Sequence, residues 1–340
     1  MCKGGGLHAT ACPDEAREFC DAVVVGEGEP VWPQVVSDAA TGHLQPIYRA
    51  PRDWNLARSP LPRFDLLGAV PQRMTVQTQR GCPLACEFCG ASRLLGRFRE
   101  KPAVVIEREL AAIGRFAPRA MVELADDNTF AGRRDTGELF DVLHGAGFRY
   151  FTEADWRIGE RPSVLRRLAD SGCVQVLVGL ESESQVFRYP GMGEKQAEWE
   201  RVLTAIAAIQ EAGVAVNGCF IVGADGETRE SIDRLIEFIL ASCLADVQLT
   251  VQTPFPGTAL WQRYRREGRL LPDRGWSHYT LFDVTYRPDR MSVEELELGF
   301  RQALKAVYPV GAAAKRHEIR RQAWQRNPRM RRTVREPTDE

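Results

Sequence analysis

The sequence predicts an α/β protein built from parallel βα units, and three observations lead there. Between Arg73 and Pro256, short β-branched runs alternate with helical patterns, the rhythm of strands joined by crossover helices. Six such runs occur, one about every 30 residues, the usual size of a βα step. Glycines and hydroxyl residues stand where the intervening helices should stop and start.

Residues 1–72 precede this block. They hold a glycine-rich start, one apolar run at 22–25 (AVVV), and a proline-punctuated stretch from Pro46 to Pro71 that reads as a connector with short elements. The strand candidates follow at 73–79 (RMTVQTQ), 120–125 (AMVELA), 150–154 (YFTEA), 174–180 (VQVLVGL), 214–222 (VAVNGCFIV) and 247–253 (VQLTVQT). Ahead of the fifth, Trp199, Val202, Leu203, Ile206 and Ile209 recur at helical spacing, with Gly213 placed to end the helix in a left-handed turn. Ile232, Leu235, Ile236 and Ile239 form a second stripe, with Thr228 at its N-cap position. Right-handed crossovers of this kind curl a parallel sheet into a full or partial barrel; an open doubly wound sheet is the rival.

Composition narrows the function. The chain has 340 residues, 44% hydrophobic and 27% charged, with 45 basic against 46 acidic side chains. A net charge of -1 offers no general attraction to polyanions, so nucleic acid is not an expected partner of the whole chain. Residues 315–335 are locally basic, with nine Lys or Arg against one Glu; they read as a solvated helix or disordered end, with an anionic partner as the functional alternative. No run approaches the roughly 18 apolar residues of a membrane span, and the start lacks the apolar core of a secretion signal. Nine cysteines are too sparse and too odd in number for a disulfide framework, so a cytoplasmic setting and metal or redox chemistry are expected.

The sharpest feature is Gly81-Cys82-Pro83-Leu84-Ala85-Cys86-Glu87-Phe88-Cys89-Gly90, a C-x3-C-x2-C directly after the first strand of the block. Three thiolates from one loop make a soft metal site. Structural zinc wants four ligands, usually as two pairs, and no second pair exists: Cys2, Cys12, Cys20, Cys173, Cys219 and Cys243 are scattered singly. A closed electron-transfer cluster uses four cysteines. Three leave one iron open, as a catalyst requires.

This loop resembles the signature of the radical S-adenosylmethionine (SAM) enzymes. The resemblance implies a [4Fe-4S] cluster on Cys82, Cys86 and Cys89, with SAM on the fourth iron, in a partial (β/α)6 parallel barrel. Further elements match in order along residues 73–270. Phe88 occupies the place of an aromatic residue that packs on the adenine. Asp126-Asp127-Asn128 resembles the Asp-Asp-Asn common in the cobalamin-type branch, implying acidic contacts from Asp126 and Asp127 to the SAM ammonium and sulfonium; a helix N-cap is the ordinary alternative. Val178-Gly179-Leu180-Glu181-Ser182 resembles a Gly-Ile-Glu-Ser element whose Glu181 would reach SAM, although a strand-end Glu is often simply solvated. The fifth strand ends on Gly223, implied to approach the adenine closely. Glu153, ending the third strand, is implied in the SAM or substrate pocket, with a structural cap as its alternative.

The stretches from Gly4 to Pro13 and from Ala22 to Glu29 resemble the closing part of a cobalamin-binding domain. The D-x-H-x-x-G motif that would bring a cobalt-ligating His is absent, and one fragment cannot form a corrinoid cleft, so cobalamin is doubtful: the domain is lost or lies upstream of residue 1. Gly26-Glu27-Gly28-Glu29 is not a dinucleotide fingerprint, because the third glycine is missing. The expected division is a cobalamin-binding-like α/β remnant at 1–45, a linker at 46–72, the barrel at 73–270 and a helical C-terminal extension at 271–340.

The family then implies reductive cleavage of SAM to a 5'-deoxyadenosyl radical that abstracts hydrogen from a small-molecule substrate, with an electron donor such as flavodoxin or ferredoxin. Arg97, Arg99, Trp156 and Trp276 are candidates for the substrate entrance, and Trp276, Tyr279, Phe282 and Tyr286 for a lid. Two other readings stand beside this one: a non-catalytic iron-sulfur protein, and an RNA methylthiotransferase-like enzyme. The latter calls for an upstream cysteine set and a terminal β-barrel, which the sequence lacks.

Overall fold

A computed structural model describes residues 3–84, 86–132, 136–182 and 195–335. At the N-terminus β1 (Lys3–Gly4), β2 (Ala22–Val25) and β3 (Ile47–Arg49) pair as a parallel sheet in the order β1-β2-β3. Ala22, Val24, Val35 and Tyr48 give it a small core of its own, covered by the helix Trp32–Thr41. The strand β3 falls in the segment read as connector. Three residues set between Pro46 and Pro51 are too few to display an alternation, and only pairing with β2 makes them a strand.

The main sheet begins with β4 (Arg73–Val76). The chain then forms an antiparallel ribbon, β5 (Gln79–Arg80) against β6 (Arg99–Glu100), which brackets the cysteine loop. Five more strands complete the main sheet: β7 (Met121–Leu124), β8 (Tyr150–Ala154), β9 (Cys173–Glu181), β10 (Ala215–Val222) and β11 (Asp246–Val251). All neighbours run parallel in the order β4-β7-β8-β9-β10-β11. A doubly wound sheet reverses its strand order at a switch point. This sheet never does, which decides for the curled, barrel-type winding, with β4 and β11 at its two edges.

Helices cover the outer face because their apolar residues fall on one side. In Ala103–Phe116 the buried residues include Val105, Ile106, Leu110 and Ile113, and each fully buried aliphatic side chain contributes about 1.5–3 kcal/mol. Thr228 opens the helix Arg229–Ala241 as expected, its N–H donating to the Ser231 hydroxyl at 3.0 Å. Gly213 has φ +96°, and a Cβ there would lie 2.9 Å from the Asn327 nitrogen.

That contact shows what the basic C-terminal stretch does. It is a docked pair of helices, Val310–Arg326 and Pro328–Arg335, not a free tail. Trp324 donates to the Val174 carbonyl at 2.8 Å, and the fully buried Asn327 amide donates to Cys173 (2.7 Å) and Gly213 (2.9 Å). The tail thereby satisfies carbonyls at the N-terminal ends of β9 and β10, closing that end of the barrel. Among the described residues no helix is long and apolar enough to cross a membrane.

Candidate functional site

The opposite end stays open. A cavity of about 630 Å³ is lined by the C-terminal parts of the strands and by the cysteine loop. From β9, β10 and β11 the residues that line it are largely alternate ones, Leu177, Gly179 and Glu181, then Cys219 and Ile221, then Gln248 and Thr250, as expected for one face of each strand. The cavity is therefore the barrel lumen.

Cys82, Cys86 and Cys89 all line it and are half-buried. Gly81, with φ +77°, turns the chain out of β5 so that the loop folds over the lumen. Cys86 and Cys89 share a turn, closed by the Cys89 N–H donating to the Cys86 carbonyl at 3.2 Å. Burial, then Cys89, Glu181 and Cys82, push the Cys86 thiol up to about 11. Cys82 is raised by burial, with Cys89 and Asp127 adding to it. Thiols that oppose one another's ionisation among carboxylates need a bound cation, and three thiolates with one coordination position left over suit an iron-sulfur cluster that takes a small ligand.

The acidic side of the lumen comes from three successive strands. Asp127 follows β7, Glu153 lies in β8, and Glu181 ends β9. Burial, then Asp127, Glu123 and Asp126, hold Glu153 at about 7, and burial, then Glu153, do the same for Glu181. Backbone geometry aims the last of these. Glu181 has φ +55°, a left-handed conformation costly for a residue with a Cβ. The β9–β10 register shifts beside it, and the Glu181 carboxylate lies where a Gly179 Cβ would be, 2.5 Å from it. The missing side chain at Gly179 leaves the space that this carboxylate occupies.

Of the residues expected from sequence, the three cysteines, Phe88, Asp127, Glu153 and Glu181 meet around this one cavity. Two expectations are corrected. Asp126 does not line the lumen: Oδ1 accepts from the Thr78 and Gln79 N–H groups (2.7 and 3.1 Å), and Oδ2 from the Thr78 and Thr129 hydroxyls (2.5 and 2.9 Å). It is a buried tie between the ends of β4 and β7, and four donors leave no room for a ligand. Gly223 also lies outside the lining. A Cβ there would meet the Tyr286 hydroxyl and Leu296, so its close approach is to the C-terminal segment. Cys219, Phe220 and Ile221 are what β10 presents to the lumen.

The entrance is corrected as well. Trp156 lines the cavity, but Arg99 is paired with Glu27 at 2.5 Å and Trp276 is bonded to Glu15. From the expected lid segment, Leu281 alone lines the cavity, and its carbonyl accepts from the Val251 N–H at 2.8 Å. Two features escaped the sequence reading. Asn128 lines the lumen with a buried Oδ1 that has no hydrogen-bond partner among the described residues. Arg263 pairs with Glu87 at 2.8 Å and with Asp225 at 2.5 Å, fastening the cysteine loop to the helix after β11. The Asp-Asp-Asn string signalled Asn128; nothing local signalled Arg263.

Comparison with known proteins agrees with this geometry. The Radical SAM superfamily matches residues 76–239, and a domain of unknown function, DUF4070, matches residues 258–338. Residues 76–239 are thus a radical SAM domain. It is 30% identical over 281 residues to an uncharacterized methyltransferase of Synechocystis, covering 79% of this chain and 52% of the relative. It is 25% identical to the bacteriochlorophyllide d C-12(1)-methyltransferase of Chlorobaculum tepidum, over 94% of this chain and 71% of that one. The chain thus spans about half the length of the first relative. Among solved structures, the radical SAM methyltransferase TsrM from Kitasatospora setae, with tryptophan and a SAM analogue bound, shares the fold at TM-score 0.59 and 15% identity, over 93% of this chain and 70% of that one. Family membership implies a [4Fe-4S] cluster and SAM.

Proposed function

We propose that residues 73–270 are the catalytic unit of a radical SAM enzyme, with 1–45 a cobalamin-binding-like α/β segment, 46–72 a linker and 271–340 an extension that closes the barrel floor. The carrying observation is that three thiols and three crowded carboxyl groups share one lumen. Cys82, Cys86 and Cys89 would hold the cluster. When bound, cluster and SAM supply one electron and a cleavable sulfonium, giving methionine and a 5'-deoxyadenosyl radical. The chain's own part is to seat and shield that pair. Asp127, Glu153 and Glu181 offer negative charge to the sulfonium and ammonium, Phe88 offers a ring to the adenine, and Leu177, Leu180 and Ile221 keep water from the reacting centre.

The proposed substrate is a small organic molecule that donates hydrogen over the β10–β11 side. Methyl transfer, the activity named for the relatives, is the class proposed for the whole protein. Electrons would come from a flavodoxin or ferredoxin in the cytoplasm, a setting that keeps thiols reduced. Anaerobic reconstitution followed by assay for 5'-deoxyadenosine tests the proposal. Production with a low-potential reductant and SAM is expected; a fully loaded cluster with no 5'-deoxyadenosine would leave only a cluster-binding protein.

A further inference from the structure

The motif Gly26-Glu27-Gly28-Glu29 does not line the lumen, yet its two glutamates join an ion-pair group at the base of the cysteine loop. Glu27 is 9% exposed. Its carboxylate meets both limbs of the β5–β6 ribbon: Oε2 lies 3.4 Å from Arg80 Nη1 and accepts from Arg99 Nη1 at 3.0 Å, while Oε1 accepts from Arg99 Nη2 at 2.5 Å. Glu29 adds a bond from Arg80 at 2.8 Å. Gly26, at φ +87°, makes the turn that presents Glu27, and its N–H is held by the Thr10 hydroxyl at 2.9 Å.

The ribbon register shows why a carboxylate must stand there. Arg80 and Arg99 are directly opposite each other, and like charges opposite one another destabilise a strand pair. A ribbon with two residues per strand is marginal even without that repulsion. It nevertheless closes the loop that runs from Gly81 to Phe98 and carries all three cysteines. Glu27 bridges both arginines, and Glu29 adds a second negative charge at Arg80. The return limb is anchored to the same N-terminal region by Arg99 Nη1 donating to the Trp54 carbonyl (3.1 Å) and the Arg97 N–H donating to the Arg52 carbonyl (3.3 Å).

We propose that Glu27 is a positioning residue, through which the N-terminal unit closes the base of the cysteine loop and fixes the geometry in which the three thiols face the lumen. The N-terminal segment is then a working part of the site. Its effect on a bound cluster rests on the proposed function; its effect on the loop does not.

Hydrogen exchange of the full 340-residue chain, reduced and without cluster, separates the two. In Glu27→Gln, peptides covering residues 81–98 are expected to exchange about tenfold faster or more, because a buried pair loses one charge and leaves two facing arginines. Glu27→Asp, which keeps the charge, should recover much of the protection, and Asp141→Asn, at an exposed ion pair elsewhere, should leave the loop unchanged. Arg99→Gln, which removes one limb's contact, should open the same peptides and serves if Glu27→Gln does not fold. Faster exchange confined to residues 3–49, with 81–98 within about twofold of wild type in the folded variants, would overturn the proposal and make Glu27 a local structural residue. In reconstituted protein the reduction potential of the cluster should rise in Glu27→Gln, since uncompensated positive charge favours the reduced form; an unchanged potential would deny the coupling to the cluster. Failure of wild type to hold a cluster would count against the proposed function while the exchange result still judges the clamp.

Discussion

Two sides of the same lumen are built by the same kind of strand end and differ in charge. Strands β7, β8 and β9 deliver Asp127, Glu153 and Glu181 at or just beyond their ends. Strands β10 and β11 deliver Cys219, Ile221, Gln248 and Thr250, and burial, then Glu153 and Glu181, push the Cys219 thiol up to about 12, which keeps it neutral. The cysteine loop adjoins the acidic side, since Cys86 feels Glu181 and Cys82 feels Asp127. A cation beside the three thiols therefore has one favourable side on which to lie, and the other side is neutral. The fold fixes where strands end; residue type at those ends divides the cavity.

The comparison breaks most visibly at the thiols. Cys86→Ala should abolish the cluster's visible absorbance near 400 nm and with it all 5'-deoxyadenosine, because the loop offers no substitute ligand. Cys219→Ala, in the same cavity, should retain a full cluster. Loss of the cluster in both variants would mean that the neutral side takes part in holding iron.

A charge change within the lumen is the next largest test. Glu181→Gln removes a carboxylate without changing its shape and should weaken SAM binding by about ten- to a hundredfold, the loss of one charged hydrogen bond, while the cluster stays. Gln248→Ala should leave SAM affinity within about twofold and act on the substrate. Equal losses in both, read by equilibrium binding to the reconstituted protein, would erase the division into two sides.

How much of this could be read in the sequence follows from how local each cause is. Strands β8, β9 and β10 were legible as β-branched and aromatic runs such as VQVLVGL, in which buried residues alternate with more open ones because one face packs under helices and the other faces the lumen. The cysteines were legible through spacing alone. Asp126 and Asp127 were not separable, since adjacent residues at a strand end point to opposite faces and only the fold says which face is the lumen. Gly223 was misassigned because a glycine marks a close approach without naming what approaches. The clamp at Glu27 was invisible: its partner Arg99 lies 72 residues away. The tail looked solvated because its nine basic residues hid Trp324 and Asn327, which do the docking.

The smallest expected effect tests the electrostatic side of the comparison without any cofactor. Glu153 and Glu181 stand near 7 in the folded chain against 4.5 for an ordinary glutamate. A carboxyl group raised in this way binds more protons folded than unfolded between those values, so the empty protein should lose stability as pH rises through that window and stay at the lower level above it. This is opposite in sign to the usual salt-bridged carboxylate. Urea midpoints of the cluster-free chain should therefore fall between about pH 5 and 7, and the fall should shrink in a Glu153→Gln/Glu181→Gln variant, which at pH 8 should be the more stable protein. The corresponding pair on the neutral side, Gln248→Ala and Thr250→Val, should shift the curve without changing its slope. A wild-type midpoint that rises across the window would mean that the lumen carboxylates already have counter-charges, and the acidic side would then have no vacancy for a cation.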